Sequence, residues 1–404
     1  MSVTIFFQEE GQILQDARAD GDQLWVSPDE LEVVSGWIVK PQGLCKTDAC
    51  VPLPADGSWR DAEGRINLVA FAERLGRSVV RDEEHSIWAF GESVGAHLSA
   101  TLSAEAPEFT LPDLEGKMHS LSTYRGKKVF LYSWGSYCGC SFDLPVWQVI
   151  YEELKDQNFE IISVALDTAG SDAVEARIHP DLAERPEVMQ RLRGWSDDEW
   201  SRQAAPAYPC LIDEEHVIAD LYGMTNVPMA VWIDEAGQVV RPAEPAGVSD
   251  HFRRLDAETF AIPDEDATSL QANRRLYVDA LRDWVQKGAK SEYVLSTDEV
   301  VARTRRPSEN DVRAAAHVRI ARHLYQEGAS EAAKQHLETA ARLCPEKETY
   351  RRQSRVLEPD LVGSIDVSAQ YFEAQNTRDG STFYPTVNMP GVIGPPAWLS
   401  GVQS

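Results

Sequence analysis

Short apolar runs in the middle of the chain predict the strands of a buried sheet. The first run ends one residue before Trp134, and a helical pattern follows it to about Leu154. A second run, a helical stretch and two further runs come next, and the turn Glu235-Ala-Gly237 leads from the last of these into a fifth. The runs cover residues 128–133, 159–166, 208–213, 229–234 and 238–241.

This order of elements indicates an α/β fold. Alternating strands and helices that end in a strand–turn–strand unit predict a mixed sheet covered by helices, and we place this domain at residues 105–260. Residues 171–205 are predicted to be helical and are rich in Arg, Asp, Glu and Trp. We interpret them as an insertion between the second and third strands.

Residues 1–104 predict a small α/β N-terminal module. The Ser-Pro-Asp-Glu sequence at 27–30 is typical of a helix start, with Ser27 as the N-cap and Glu30 as its capping-box partner. Apolar residues at helical spacing in 68–75 predict a second helix, which ends at Gly76. The small and polar segment 93–107 is interpreted as a linker to the next domain.

The C-terminal third of the chain predicts helices and then an extended tail. Residues 261–360 are predicted to form a helical region, and one segment in it fits the tetratricopeptide (TPR) pattern. A single repeat makes little groove, so we expect the region to pack against the α/β domain of residues 105–260 or to form a homodimer. The tail covers 361–404. The positions that fit the TPR pattern are Gly328, Ala333, Leu337, Ala340 and Pro345.

Composition excludes some classes of partner. The chain of 404 residues has 65 acidic and 39 basic side chains and a formal charge of −26, so it lacks the basic excess that would neutralise nucleic-acid phosphates or bind an anionic membrane. The first twelve residues have no basic stretch followed by a long apolar run. We therefore expect a cytoplasmic protein with no nucleic-acid or membrane partner.

The candidate chemistry lies where the first predicted strand runs into two cysteines. Cys138 and Cys140 are separated by one glycine, and the next helix is predicted to begin at this pair. The N-terminus of a helix presents free N–H groups and the positive end of its dipole, which stabilise a thiolate. Cys138 is therefore the candidate nucleophile, and Cys140 is the thiol that would resolve a mixed disulfide.

A second element is the Val227-Pro228 pair, directly before the predicted strand 229–234. Proline has no N–H to donate to a sheet ladder, so Pro228 belongs at the start of that strand. Trp134 and Tyr137 flank the cysteines on their N-terminal side. We assign both to the substrate-binding surface, and packing beneath the cysteine loop is the alternative role for Trp134.

Together these residues resemble the ResA/TlpA-like branch of thioredoxin-fold proteins in the AhpC/TSA-redoxin superfamily. The resemblance covers about residues 105–260. It rests on the sequence 106–116, the Trp-x-x-x-Cys lead-in, Pro145 and the Asn-Val-Pro of 226–228. It implies a thioredoxin-like fold, thiol–disulfide oxidoreductase activity without a cofactor, and a cis Pro228 that, with Val227, contacts substrate beside the cysteines.

The cysteine motif departs from the usual Cys-x-x-Cys of this branch. Residues 134–140 resemble a group with a Trp-Ala-x-x-Sec/Cys-Gly-Cys motif, with Gly135 in the position of the alanine. A Cys-x-Cys disulfide closes a smaller ring, in which the preferred geometry is harder to reach, and a strained disulfide is more oxidising. The site could therefore isomerise or oxidise thiols, or relay electrons to a peroxide. The peroxiredoxin signature is absent, because Leu131 and Gly135 replace its proline and hydroxyl residue.

Four further cysteines lie outside this motif. Cys45 and Cys50 flank a turn-rich stretch, and they are interpreted either as a local structural pair or as an electron relay to the main cysteines. No other cysteine or histidine pair supports a local metal site. Cys210 lies on an apolar strand and Cys344 follows a helical pattern, so both are expected in the core.

The sequence thus predicts a thiol–disulfide oxidoreductase that acts on protein or small-molecule disulfides and thiols. Its redox partner would be a dithiol protein or a low-molecular-weight thiol. Two alternatives stay open at this point. One is a thiol-dependent peroxidase, in which Cys138 becomes a sulfenic acid that Cys140 condenses. The other is a non-catalytic interaction scaffold that uses the helical region.

Overall fold

The protein was analysed as a computed structural model that describes residues 2–7, 11–95, 102–376 and 382–400. In chain order its strands are β1 Val3–Phe6, β2 Gln12–Leu14, β3 Arg18–Asp20, β4 Gln23–Val26, β5 Ile38–Lys40, β6 Gly43–Lys46, β7 Ala49–Val51, β8 Ile66–Asn67, β9 Arg77–Asp82, β10 Ile87–Ser93, β11 Thr110–Pro112, β12 Met118–Ser120, β13 Lys128–Trp134, β14 Phe159–Leu166, β15 Cys210–Asp213, β16 Met229–Ile233 and β17 Val239–Pro245. Its α-helices are α1 Pro28–Ser35, α2 Leu68–Arg74, α3 Leu144–Leu154, α4 Ser171–Ile178, α5 Glu187–Arg193, α6 Asp197–Ser201, α7 Val217–Tyr222, α8 Asp264–Lys287, α9 Thr297–Arg303, α10 Glu309–Gln326, α11 Ser330–Leu343, α12 Glu348–Val356, α13 Ala369–Asn376 and α14 Ala397–Ser400.

The chain divides into two compact units. The first unit contains the described residues before 96 together with Pro307–Cys344, and the second contains those of 102–306 and those from 345 onward. This division differs from the predicted continuous helical region 261–360, because α10 and α11 belong to the first unit and the other helices of that region to the second. The reason is close packing: a Cβ added at Gly91 of β10 would lie 2.7 Å from the carbonyl oxygen of Val312 in α10.

The first unit contains three small sheets. The largest has the strand order β2-β1-β10-β9, and the other two have the orders β3-β4-β8 and β5-β6-β7. The capping box predicted at the start of α1 is present, since the Ser27 hydroxyl accepts the Glu30 N–H and the Glu30 carboxylate accepts the Ser27 N–H. The α1, α2 and strand residues share one hydrophobic core, to which Leu31, Phe71 and Phe90 belong.

The second unit is built on a five-stranded mixed sheet with the order β15-β14-β13-β16-β17. β13, β14 and β15 are parallel, whereas β16 runs antiparallel to β13 and β17 antiparallel to β16. The predicted mixed sheet is therefore confirmed, and β14 has the predicted bounds. β13 is the central strand, so the loop that follows it at the carboxyl edge is held between two neighbours.

Aromatic side chains pack the helices onto this sheet. The Trp147 ring of α3 lies 4.9 Å from Phe130 and 5.1 Å from Trp195, which belongs to the predicted insertion. That insertion forms α4, α5 and α6 between β14 and β15, as predicted. On β16, Trp232 stacks on Trp284 of α8 at 5.0 Å. The sheet is thus covered by helices from within and after the domain predicted from the sequence.

Two predicted segments lie partly outside the described residues. The linker predicted at 93–107 includes 96–101, and the tail predicted at 361–404 includes 377–381 and 401–404. The described part of the tail contains α13 and α14 and otherwise no helix or strand. Across the described ranges, none of the helices combines the length and the apolar character that a bilayer crossing needs.

We predict that Trp232→Ala strongly destabilises the second unit. Trp232 is fully buried, stacks on Trp284 and donates its Nε1–H to the Tyr277 hydroxyl at 2.9 Å. Removing a buried tryptophan costs about 3–5 kcal/mol of unfolding free energy. Urea denaturation followed by circular dichroism measures the change. Met118→Ala is the control, since Met118 is 57% exposed and its loss should change the free energy by less than about 0.5 kcal/mol. Equal effects of the two substitutions would contradict this packing.

Candidate active site

The two cysteines lie in a short turn between β13 and α3. The chain leaves β13 at Trp134, and a 3-10 helix spans Gly139–Asp143 before α3 begins. Cys138 is the N-cap of this 3-10 helix, and its Sγ accepts the Cys140 N–H at 3.2 Å. The predicted helix therefore starts at the cysteine pair, but as a 3-10 turn. Pro145 occupies the first turn of α3, where a missing N–H costs nothing.

The cis-proline loop meets this turn at the sulfur of Cys138. The Val227–Pro228 peptide bond is cis, as the resemblance implied. The Cys138 thiol donates to the Val227 carbonyl oxygen at 3.6 Å. The structure therefore brings together three of the predicted site residues, namely Cys138, Val227 and Pro228. Cys138 is 3% exposed and Cys140 is fully buried, and both are free thiols.

Trp134 and Tyr137 are both fully buried in the core beneath and beside the cysteines. This burial favours the packing role for Trp134. Position 135 is a glycine for a steric reason, because a Cβ at this position would lie 2.6 Å from the Tyr137 ring. The glycine in place of the alanine of the related motif thus lets Tyr137 fold back against the loop.

A buried carboxylate anchors the C-terminal end of the 3-10 helix. Asp143 is fully buried and accepts hydrogen bonds from Arg193 at 2.7 and 3.1 Å and from Arg274 at 3.0 Å. The Trp195 indole and the Tyr132 hydroxyl donate to it as well, at 2.8 and 3.1 Å. Two guanidinium groups thus face one carboxylate, which leaves a net positive charge in the protein interior near the thiols.

A third guanidinium approaches from the N-terminal side of the loop. Arg352 of α12 is 1% exposed and donates from Nη2 to the Tyr137 carbonyl oxygen at 2.9 Å. Its guanidinium carbon lies 5.2 Å from the centre of the Tyr137 ring. Its Nε lies 3.9 Å from the Asp366 carboxylate, which pairs more closely with Arg355 at 2.6 Å. Within the described structure, Arg352 Nε and Nη1 have no hydrogen-bond partner.

These groups set the two thiol pKa values apart. Burial opposes ionisation of Cys138, but the hydrogen bonds from Cys140 and the charges of Arg352 and Arg193 outweigh it and lower the pKa of Cys138 to about 5. Burial, the hydrogen bond to Cys138 and the charge of that sulfur raise the pKa of Cys140 well above its ordinary value. The arrangement therefore favours one thiolate, on Cys138, with Cys140 retaining its proton.

A second contact from α12 holds the loop. The Asp167 carboxylate accepts the Ser136 N–H at 3.0 Å, and the Gln353 side-chain amide lies 3.4 Å from its other oxygen. Burial raises the pKa of Asp167 to about 6, although these hydrogen bonds oppose the rise. α12 thus contacts both the loop, through Arg352, and the carboxylate that orients it, through Gln353.

Sequence reasoning missed the charged residues of this site and the residue that covers it. Tyr384, in the segment predicted as a tail, donates its hydroxyl proton to the Val227 carbonyl oxygen at 2.8 Å. Asp143 follows the cysteines by three residues and could have been singled out as a charge in an otherwise apolar helix start. Arg352 and Tyr384 lie more than 200 residues away in the chain, and no local pattern marks them.

The remaining cysteines lie elsewhere. Cys45 and Cys50, on the facing strands β6 and β7 of the first unit, form a disulfide with an S–S distance of 2.04 Å. Cys45 is buried and Cys50 is exposed. Their predicted role as a relay stays a prediction. Cys210 and Cys344 are buried and are not part of a disulfide in the described structure, as expected for core residues.

Comparison with known proteins covers the part of the chain that holds this site. The AhpC/TSA family model matches residues 102–241. The thiol-disulfide oxidoreductase ResA of Halalkalibacterium halodurans is 31% identical over 143 residues, which are 35% of this chain and 68% of that protein. ResA of Geobacillus thermodenitrificans is 28% identical over 142 residues, with the same coverage of 35% and 68%. The crystal structure of StoA from Bacillus subtilis is 19% identical and covers 35% of this chain and 90% of its own, with a TM-score of 0.25.

The matched residues 102–241 include both cysteines of the turn and the cis proline. Identity of 31% over 68% of a curated relative is a family relationship, and the mixed sheet has the architecture that this family predicts. Through this domain, the chain belongs to the ResA family of thiol-disulfide oxidoreductases.

Proposed function

We propose that Cys138 and Cys140 are the redox-active pair of this thiol–disulfide oxidoreductase. The observation that carries the proposal is the cationic, buried setting of Cys138. The hydrogen bond from Cys140 and the charges of Arg352 and Arg193 lower the pKa of this thiol. The thiolate is the nucleophile in thiol–disulfide exchange, so a thiol that is ionised at neutral pH is available for attack. Cys140, two residues away and still protonated, supplies the second thiol.

The exchange then runs in two balanced steps. The Cys138 thiolate attacks one sulfur of a disulfide, forming a mixed disulfide and releasing the other sulfur as a thiolate. Cys140 gives up its proton, which the solvent or the released thiolate takes, and attacks Cys138. The second substrate sulfur leaves, a Cys138–Cys140 disulfide forms, and two electrons have passed from the protein to the substrate. In reverse, the oxidised pair oxidises a dithiol.

The surrounding residues have separate tasks in these steps. Arg352 and Arg193 stabilise the thiolate of the reduced pair, and this stabilisation makes the reduced form favourable relative to the disulfide. Val227 and Pro228 form the wall beside the sulfur and are the proposed substrate contacts. The partner that restores the starting redox state would be a dithiol protein or a low-molecular-weight thiol. A cytoplasmic location and a homodimer stay predictions.

A second candidate activity is thiol-dependent peroxide reduction. The enclosure of Cys138 favours it, since a cysteine that is only 3% exposed suits a substrate as small as a hydroperoxide. The thiolate would attack one peroxide oxygen and break the O–O bond, giving a sulfenic acid, and the leaving oxygen would take a proton from solvent and depart as an alcohol or water. Cys140 would then condense with the sulfenic acid, releasing water and forming the same disulfide.

We predict one two-electron transition that involves Cys138 and Cys140. The wild-type protein, equilibrated with mixtures of reduced and oxidised dithiothreitol, should lose two alkylatable thiols together, and peptide mass spectrometry should locate both in the loop. Cys140→Ser should abolish the transition and trap a mixed disulfide on Cys138. Cys210→Ser is the matched control, a buried thiol outside the turn, and should leave the transition unchanged. Absence of a Cys138–Cys140 disulfide at every redox poise would refute the assignment.

We also predict that Cys138 is a thiolate at neutral pH. The thiolate of Cys138 is measured by its ultraviolet absorbance, as the difference between the wild type and Cys138→Ser. This absorbance should disappear only below neutral pH, because a thiol with a lowered pKa stays ionised until the pH falls to that pKa. Arg352→Gln removes a positive charge and should raise the midpoint by roughly one pH unit or more. Arg125→Gln removes an exposed cation from the opposite end of the sheet, near Gly126 and Glu235, and should not move the midpoint. A midpoint near an ordinary thiol value of about 8.5 in the wild type would contradict the proposal.

The relay hypothesis for Cys45 and Cys50 has its own test. If the pair passes electrons to Cys138 and Cys140, replacing both with serine should slow steady-state turnover at least tenfold with a protein dithiol as the reductant. Single-turnover oxidation of the main pair should stay unchanged, since that reaction needs no relay. Unchanged steady-state rates with every reductant would leave this disulfide a local structural link of β6 and β7.

A further inference from the structure

The part of the tail that covers the site is residues 382–395, called here the C-terminal strap. It contains no helix or strand. Side chains of the body bind its backbone instead: Asn273 exchanges two hydrogen bonds with Ile393, at 2.8 and 3.1 Å, and Arg241 donates to the Asn388 carbonyl oxygen at 3.0 Å. The strap is therefore held at several points along its length.

Asp250 binds the end of the strap that lies nearest the cysteines. Its two carboxylate oxygens each accept one backbone N–H, from Phe383 and from Tyr384, both at 2.7 Å. Asp250 is 2% exposed and also forms an ion pair with Arg253 at 3.3 Å. Burial raises the pKa of Asp250, and the hydrogen bonds from the strap oppose this rise. The strap thus supplies two hydrogen-bond donors to a buried carboxylate, and removing the strap would leave the charge of Asp250 without them.

The same end of the strap contacts the cis-proline loop. Asn226 donates its side-chain amide to the Phe383 carbonyl oxygen at 3.3 Å, and the Tyr384 hydroxyl donates to the Val227 carbonyl oxygen at 2.8 Å. That carbonyl oxygen is the one to which the Cys138 thiol also donates. The strap therefore occupies the loop surface directly beside the nucleophilic sulfur.

Apolar contacts add to these hydrogen bonds. Phe383, Tyr384, Val387 and Met389 are each 4–6% exposed and belong to the hydrophobic core of the domain. Phe252 packs against the rings of Phe383 and Tyr384 at 5.5 and 5.6 Å. Displacing the strap would expose all four side chains to water at once.

This cover limits what can reach Cys138. A disulfide in a protein brings several residues of chain with it, and these need the surface that Asn226, Val227 and Pro228 present. The strap already lies on that surface, and Pro228 is buried. A small molecule needs only a narrow approach, and Cys138 keeps 3% of its surface exposed beside the strap.

We propose that the strap restricts this site to low-molecular-weight substrates, namely small disulfides or hydroperoxides, and excludes disulfides within proteins. This inference rests on the proposed role of Cys138 and Cys140 and narrows its substrate class. Asp250 is the residue that holds the strap closed at the site. It acts through the strap rather than on the reacting sulfur, so it is a positioning residue.

The test compares three oxidants in single-turnover reactions of the reduced full-length protein. The oxidants are 2-hydroxyethyl disulfide, hydrogen peroxide and insulin, and peptide mass spectrometry follows formation of the Cys138–Cys140 disulfide after acid quenching. Each rate is divided by the rate at which dithiothreitol reduces the same compound, which removes differences in intrinsic reactivity. We expect at least one small oxidant to give a normalised rate at least a hundredfold above that of insulin.

Loosening the strap should reduce the ratio between the normalised rate with the small oxidant and the normalised rate with insulin. Asp250→Asn loses the charge that binds two backbone N–H groups, and hydrogen bonds to a charged group are strong enough for an effect of about tenfold or more on the normalised insulin rate. The rate with the preferred small oxidant should change less than twofold. Asn273→Ala releases the strap at Ile393 and is the second variant in case Asp250→Asn does not fold. Glu160→Gln is the control, because Glu160 is an equally buried carboxylate at the far end of β14, paired with Lys127.

The outcomes separate the two proposals. A wild-type insulin rate within tenfold of the small-oxidant rate would overturn the size restriction and leave the redox pair intact. An insulin rate that stays unchanged in both strap variants would also overturn it. Failure of all three oxidants to form the Cys138–Cys140 disulfide would instead refute the redox pair itself, and the substrate class with it.

Discussion

The site depends on the buried carboxylate of Asp143. Two arginines, a tryptophan and a tyrosine donate to it, and these donors come from the insertion, from α8 and from β13. Removing one partner of a buried ion pair costs about 3–5 kcal/mol, so the carboxylate ties these elements to the turn that carries the cysteines. Because the donors include two guanidinium groups, the cluster has one positive charge in excess. The Cys138 thiolate is the anion that can balance it.

The shape of the cysteine turn follows from the same constraint. The 3-10 helix Gly139–Asp143 has the carboxylate at one end and Cys138 as its N-cap at the other, so the position of Asp143 sets the position of the sulfur. On the other side Arg352 holds the Tyr137 carbonyl oxygen, and Gly135 gives the Tyr137 ring the space to fold back. The turn is thus fixed at both ends by buried charge, which keeps the thiol where the cis-proline loop meets it.

The sequence predicted those parts of the fold that local patterns encode. The strands of the mixed sheet, the α1 capping box, the insertion helices and the cysteine turn all follow from periodicity, caps and short motifs within a few residues. The resemblance to a family supplied the cis proline. Local patterns could not supply partners distant in the chain: Asp143 and Arg274 are 131 residues apart, and Tyr384 and Val227 are 157 apart. For the same reason, the helical pattern of α10 did not reveal that this helix packs on β9 and β10.

The Tyr384 hydroxyl also resolves a problem that ionisation of Cys138 would create. As a thiol, Cys138 donates to the Val227 carbonyl oxygen, and as a thiolate it has no proton to donate. A buried carbonyl left without a donor costs free energy, which would oppose ionisation. Tyr384 already donates to that oxygen, and burial together with the negative charge of Cys138 keeps its own pKa well above the ordinary range, so its proton stays in place. The strap that encloses the site therefore also keeps the carbonyl satisfied in both states of the sulfur, so closure and reactivity are compatible.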